Sequence, residues 1–86
     1  MVTKMNAKEV ALIARNYLED MLGESIADVA LEEVDLSQDE LIWFITLSYR
    51  VKNPMSSFTM TKKEYKIFEV DINKREVISM KIRKVE

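Results

Sequence analysis

Apolar residues recur along this chain at two different periods, and the change from one to the other marks out the elements. Between residues 7 and 22 they fall three and four positions apart, at Ala7, Val10, Ala11, Ala14, Tyr17, Leu18, Met21 and Leu22, while Lys8, Arg15, Asn16, Glu19 and Asp20 fall largely elsewhere. That spacing predicts a helix with one buried and one wet face. Its start is signalled by Asn6 and Glu9, a capping-box pair in which each side chain reaches the other's backbone amide, and by Met5 and Val10, spaced for a hydrophobic staple. Gly23 stands where a helix that ends in a left-handed residue needs it. The predicted helix therefore covers about residues 7–22.

Beyond Gly23 the period drops to two. Residues 26–36 read as a first strand, with Ala27, Val29 and Leu31 in one phase and Val34 and Leu36 in the other. The phase slip at Glu32 and Glu33 predicts a β-bulge that adds one residue and restores the alternation. Adjacent strand residues point to opposite faces, so a catalytic carboxylate pair is not expected there. Residues 41–52 form the strongest strand: Leu41, Trp43, Ile45, Leu47, Tyr49 and Val51 make one continuous apolar face, assigned to the core beneath the helix. The opposite face begins with Ile42 and Phe44 and turns polar at Thr46, Ser48 and Arg50. One helix covers only one side of a sheet, so Ile42 and Phe44 call for a cover: a curl of the sheet, a loop, a second subunit or a partner.

Asn53 and Pro54 open a turn, and Ser56, Ser57, Thr59 and Thr61 keep the following stretch polar. Met55, Phe58 and Met60 interrupt it. Phe58 and Met60 suit capping the open sheet face, with extension of the next strand or exposure as partner anchors as the alternatives. Residues 64–72 and 76–85 read as the two strands of a hairpin, with Ile78, Met80 and Ile82 inward and Ser79, Lys81 and Arg83 outward. The pattern adds up to an α+β fold, an N-terminal helix packed on a four-stranded antiparallel β-meander in the order 1-2-3-4. Residues 1–86 make one domain, with Trp43, Tyr17 and Leu18 near the centre of its core.

Composition narrows the chemistry further. The 86 residues include no His, no Cys, one Gly and one Pro. The chain thus lacks the side chain that titrates near neutrality, any thiolate nucleophile, and the sulfur and imidazole ligands of a zinc site; one Gly does not build a phosphate-cradling loop. Ser37, Ser48, Ser56, Ser57 and Ser79 have no His to activate them, and a dyad of Ser56 or Ser57 with Lys62 or Lys63 rests on sequence proximity alone. Asp71, Asn73 and Glu76 are too closely spaced for a calcium loop and lack its central Gly. Asp39 and Glu40 read as the end of a turn. The expectation is a protein that is not an enzyme and needs neither metal nor cofactor. No apolar run approaches bilayer-spanning length and no signal-peptide pattern opens the chain. A cytoplasmic location is therefore the default, with secretion from a longer precursor as the alternative.

Net charge is only -2, but its distribution is uneven. Between Asn16 and Tyr49 there are nine carboxylates and no Lys or Arg; after Tyr49 there are ten basic residues against five acidic ones. Acidic and basic strands are expected to attract one another within the sheet, the alternative being an edge offered to a partner of opposite charge. Nucleic acid is not expected, because the basic residues are spread over several segments and the total is acidic.

The run Glu64-Tyr65-Lys66-Ile67-Phe68-Glu69-Val70-Asp71, followed after three residues by Arg75-Glu76-Val77-Ile78, resembles the closing hairpin of PepSY domains. There a Tyr-containing strand ends in Val-Asp and a turn leads to Gly-Glu-Val; Arg75 stands here in place of that Gly. The order of elements is also similar to PepSY and to the broader cystatin-like architecture. The resemblance implies a regulatory binding domain of the kind that modulates peptidases. The Gln-Val-x-Val-Ala-Gly inhibitory loop of cystatins is absent, Gln38 standing in no such context, so protease inhibition is not implied. The leading expectation is a non-enzymatic protein-interaction domain that inhibits or modulates a partner protein, or a homodimer, through Ile42 and Phe44 or through Phe58 and Met60. The alternatives are a small-molecule-binding domain with a pocket between helix and sheet, whose polar group would come from Tyr17 or Tyr49, and a structural subunit of an assembly.

Overall fold

The computed structural model describes residues 5–52 and 63–84. The chain forms helix α1 (Ala7–Leu22), a 3-10 turn (Gly23–Ser25), and strands β1 (Ile26–Leu36), β2 (Ile42–Val51), β3 (Lys63–Asp71) and β4 (Glu76–Ile82). The strands pair antiparallel in the order β1-β2-β3-β4, the expected meander, and the helix packs on one face of the sheet.

The helix begins as its sequence dictates. The Asn6 side chain accepts the Glu9 amide at 2.8 Å and the Glu9 carboxylate reaches back to the Asn6 amide at 3.5 Å, so two of the amides a helix start leaves unpaired are satisfied. Met5 and Val10 are both buried, as a staple requires. Val10, Ala14 and Leu18, one turn apart, face the sheet. Met21, expected on that face, is exposed, whereas Ile13 packs against the core. Gly23 ends the helix at φ 56°, where a side chain is strained.

The core joins Val10, Ala14 and Leu18 to Ile45, Leu47 and Tyr49 of β2 and Phe68 and Val70 of β3. Tyr17 closes edge-on over Phe68, with ring centroids 6.4 Å apart at 80°. Leu18 is central, as expected, but Trp43 lies at the border of the core, and Phe68 is its largest fully buried side chain. Leu41 precedes β2 and is exposed rather than part of the core face.

β1 departs from the expected single bulge. The register slips between Leu31 and Glu33, as the phase change predicts, and also between Ala27 and Ala30, where Asp28 takes φ 56°. Ala27 therefore pairs with Arg50 on the outer face, while Val29 packs against the core. In β4, Met80 faces the core. Ile78 occupies a third irregularity and is exposed, and Ile82 is exposed at the strand end, both contrary to expectation. No helix among the described residues is long and apolar enough to cross a membrane.

Candidate functional site

The face of the sheet away from α1 is built from cross-strand rows. One row runs Asp35, Phe44, Glu69 and Ser79 from β1 to β4; the next toward the end of the sheet holds Ile42, Asp71 and Glu76. In the other direction come Glu33, Thr46, Ile67 and Lys81, then Ser48 with Tyr65, then Arg50 with Lys63. Ile42 and Phe44 thus lie on the face opposite the core, as expected, and both are half-buried.

The middle of this face is closed, although no second layer of secondary structure lies over it among the described residues. Ser48 and Thr46 are 0% and 3% exposed. Their cover is a set of long charged side chains. The Ser48 hydroxyl donates to Glu32 Oε2 at 2.6 Å, and the same oxygen receives Lys63 Nζ at 2.8 Å, so β1, β2 and β3 are joined in one line. Arg83 Nη1 donates to Thr46 Oγ1 at 2.7 Å and to Glu33 Oε2 at 2.9 Å, tying the chain after β4 back to β1. Arg50 stands 3.8 Å from Asp28. Acidic β1 is thereby attracted to the basic later strands, the arrangement the uneven charge implies. The ammonium of Lys63 and then the Ser48 hydroxyl hold the Glu32 carboxyl below its ordinary range, and Glu32 in turn raises Lys63.

Glu32 and Glu33 correct one expectation. Both carboxylates bond to groups on the outer face, because the bulge sets Leu31, Glu32 and Glu33 against only Leu47 and Thr46 and suspends the usual alternation. They do not meet as a pair: each is occupied by its own cation. Asp39 organises the β1–β2 turn, accepting from the Ser37 hydroxyl and from the Leu41 amide at 3.0 Å, and these bonds, the Ser37 one foremost, lower its pKa.

The end of the face around Ile42 and Phe44 has the opposite character. Asp35 and Glu69 flank Phe44 on the neighbouring strands, and Asp71 and Glu76 continue the row of Ile42. Among the described residues none of these four carboxylates pairs with a Lys or Arg. Phe58 and Met60, the other expected partner residues, lie outside the described residues.

A second apolar surface, not anticipated from the sequence, is a groove of about 340 Å³ between α1 and the edge strand β1, lined by Ala11, Leu12, Val29, Leu31 and Leu47 with Lys8, Glu9 and Arg15 at its rim. Leu12 and Leu31 are 57% and 50% exposed. Neither Tyr17 nor Tyr49 lines it. Tyr49 is buried in the core, where desolvation and the neighbouring Glu64 carboxylate push its hydroxyl up to about 12. The signal for the groove was Leu12, an apolar residue off the main helix stripe.

No family model, curated protein or solved structure matches this chain at a significant level.

Proposed function

We propose that this chain is a non-enzymatic interaction domain that binds a partner protein through the outer end of its sheet and so inhibits or modulates that partner. The observation that carries the reading is the incomplete cover of Ile42 and Phe44: Thr46 and Ser48 in the middle of the face are buried under charged side chains, whereas Ile42 and Phe44 stay half-buried. The hairpin resemblance supports the same class. Arg75 takes φ 56° at the position where PepSY domains place Gly, so the turn has the backbone shape such a Gly serves. A homodimer, or a place in a larger assembly, would use the same surface.

The test is affinity capture with mass-spectrometric identification, run in parallel on wild type and an Ile42→Ser, Phe44→Lys variant, with the mass of each purified protein measured by light scattering. A partner held by wild type and lost from the variant is the expected result. A wild-type dimer that the variant breaks, with no specific partner captured, would move the function to self-association.

A second reading, a small apolar ligand between helix and sheet, is favoured by the Leu12–Leu31 groove. Its check is the fluorescence of anilinonaphthalene sulfonate, which on this reading rises with folded wild type and not with a Leu12→Glu, Leu31→Glu variant. Equal signals from the two proteins would remove it.

A further inference from the structure

We infer that the surface bound at the Ile42–Phe44 end is basic, a polypeptide segment presenting an apolar side chain between two Lys or Arg residues about 10 Å apart. This inference rests on the interaction reading above and names the chemistry of the partner. The spacing follows from the sheet. Asp35 and Glu69 lie on strands either side of β2, with Phe44 between them, and two strand spacings make about 10 Å.

The charge balance of the face selects an external partner. Three of its cations are already engaged: Lys63 by Glu32 and Arg50 beside Asp28 at the far end, and Arg83 by Glu33 in the row next to Phe44. Its anions at the near end are not, since among the described residues Asp35, Glu69, Asp71 and Glu76 have no cationic partner. Lys81, in the next row beside Ile67, and Lys84, which lines the same hollow as Asp35 and Phe44, offset only part of that charge. A second copy laid face to face with its strands antiparallel would bring this acidic end over Arg50 and Lys63, whose charges are spent. A foreign basic segment meets no such competition. Like charges held in neighbouring rows repel one another, and a cation that enters between them relieves this while an apolar anchor covers Phe44 and Ile42. Nucleic acid and anionic lipid carry the wrong sign for this end of the sheet.

The test is selection from a random dodecapeptide display library on three immobilised proteins: wild type, Phe44→Lys, and a variant with Asp35→Asn, Glu69→Gln, Asp71→Asn and Glu76→Gln. Far-UV circular dichroism of each confirms the fold, and the Asn at position 71 can still accept the Lys74 amide as Asp71 does at 2.9 Å. Wild type is expected to enrich peptides with Lys or Arg either side of an aliphatic or aromatic residue. These should bind wild type about tenfold more tightly than the amide variant, the size of effect expected from two or three partly exposed ion pairs, and the difference should shrink with added salt. Phe44→Lys should enrich nothing in common with wild type. If wild type and the amide variant both select uncharged apolar peptides, and Phe44→Lys does not, the interaction face stands and the basic partner falls. If selection ignores Phe44 altogether, both readings fall. Displacement of the selected peptides by spermidine at equal charge would reduce the site to a polycation trap and overturn the apolar anchor, and a wild-type dimer broken by the amide variant would replace the foreign segment with a second copy.

Discussion

Trp43 carries the chain's one indole, and its Nε1 is buried without a hydrogen-bond acceptor among the described residues. A buried donor left unpaired costs about 1–3 kcal/mol, because the water it lost is not replaced. Trp43→Phe removes that donor and keeps most of the aromatic surface, so urea denaturation followed by circular dichroism should place it within about 1 kcal/mol of wild type. Trp43→Ala removes the surface too and should lose about 3 kcal/mol. A large loss from the Phe substitution would mean that the indole N–H is bonded after all. Trp43 also marks how far residue-level reading reaches. Its face followed from alternation along β2, but its place at the border of the core depended on where α1 ends over the sheet, which no local pattern records. Asn6 and Glu9 were legible because their partners lie three residues apart. Ser48 and Glu32, sixteen residues apart, were not, and the closed middle of the outer face was missed with them.

The elements themselves were read from period alone, and their order, pairing and limits follow that reading to within a residue or so except at the end of β4. What escaped were the irregularities. The bulge at Glu32 and Glu33 was visible because Leu31 and Val34 are large and cannot both be inward without it. The slip at Asp28 was invisible because Ala27 is small enough to sit on either face, so it reads as sharing a face with Val29 when it does not. Asp28 tolerates the left-handed backbone there better than a branched residue would. Ile78 misled for the converse reason: a large apolar residue in an alternating run reads as inward, yet the irregularity in β4 leaves it exposed. The irregularities fall on β1 and β4, the two edges of the sheet, and they blunt both against pairing with another strand. A partner of the proposed kind would therefore dock face-on at Phe44 rather than add a strand to either edge. Phe58 and Met60, read as caps for that face, lie outside the described residues.

Across the whole molecule, the ionic cover of the outer face makes stability depend on pH in a definite direction. The Glu32 carboxyl, held down chiefly by Lys63 and then by Ser48, titrates below its ordinary 4.5, so the stability it contributes is fully present above that value. It is lost as pH falls through the depressed pKa. Asp39, lowered from 3.8 by its turn hydrogen bonds, acts in the same sense. Lys63 is raised above 10.5 by Glu32, and Tyr49 is raised from 10.0 to about 12 by burial and by Glu64; their contributions hold below their ordinary values and disappear as pH climbs through the raised ones. Melting temperature should therefore be highest between these acid and alkaline limbs. Glu32→Gln separates this network from the general charge of the protein. The Gln can still accept the Ser48 hydroxyl, so the variant loses the ion pair and keeps the buried hydrogen bond. Its melting temperature should lie below wild type at neutral pH, and the gap should narrow as pH falls from 4.5 and close below the depressed pKa, where the folded wild-type carboxyl is itself protonated. A gap that stays constant from neutral pH to acid would show that Lys63 does not hold the Glu32 charge, and the outer face would then be closed by packing of the long side chains alone.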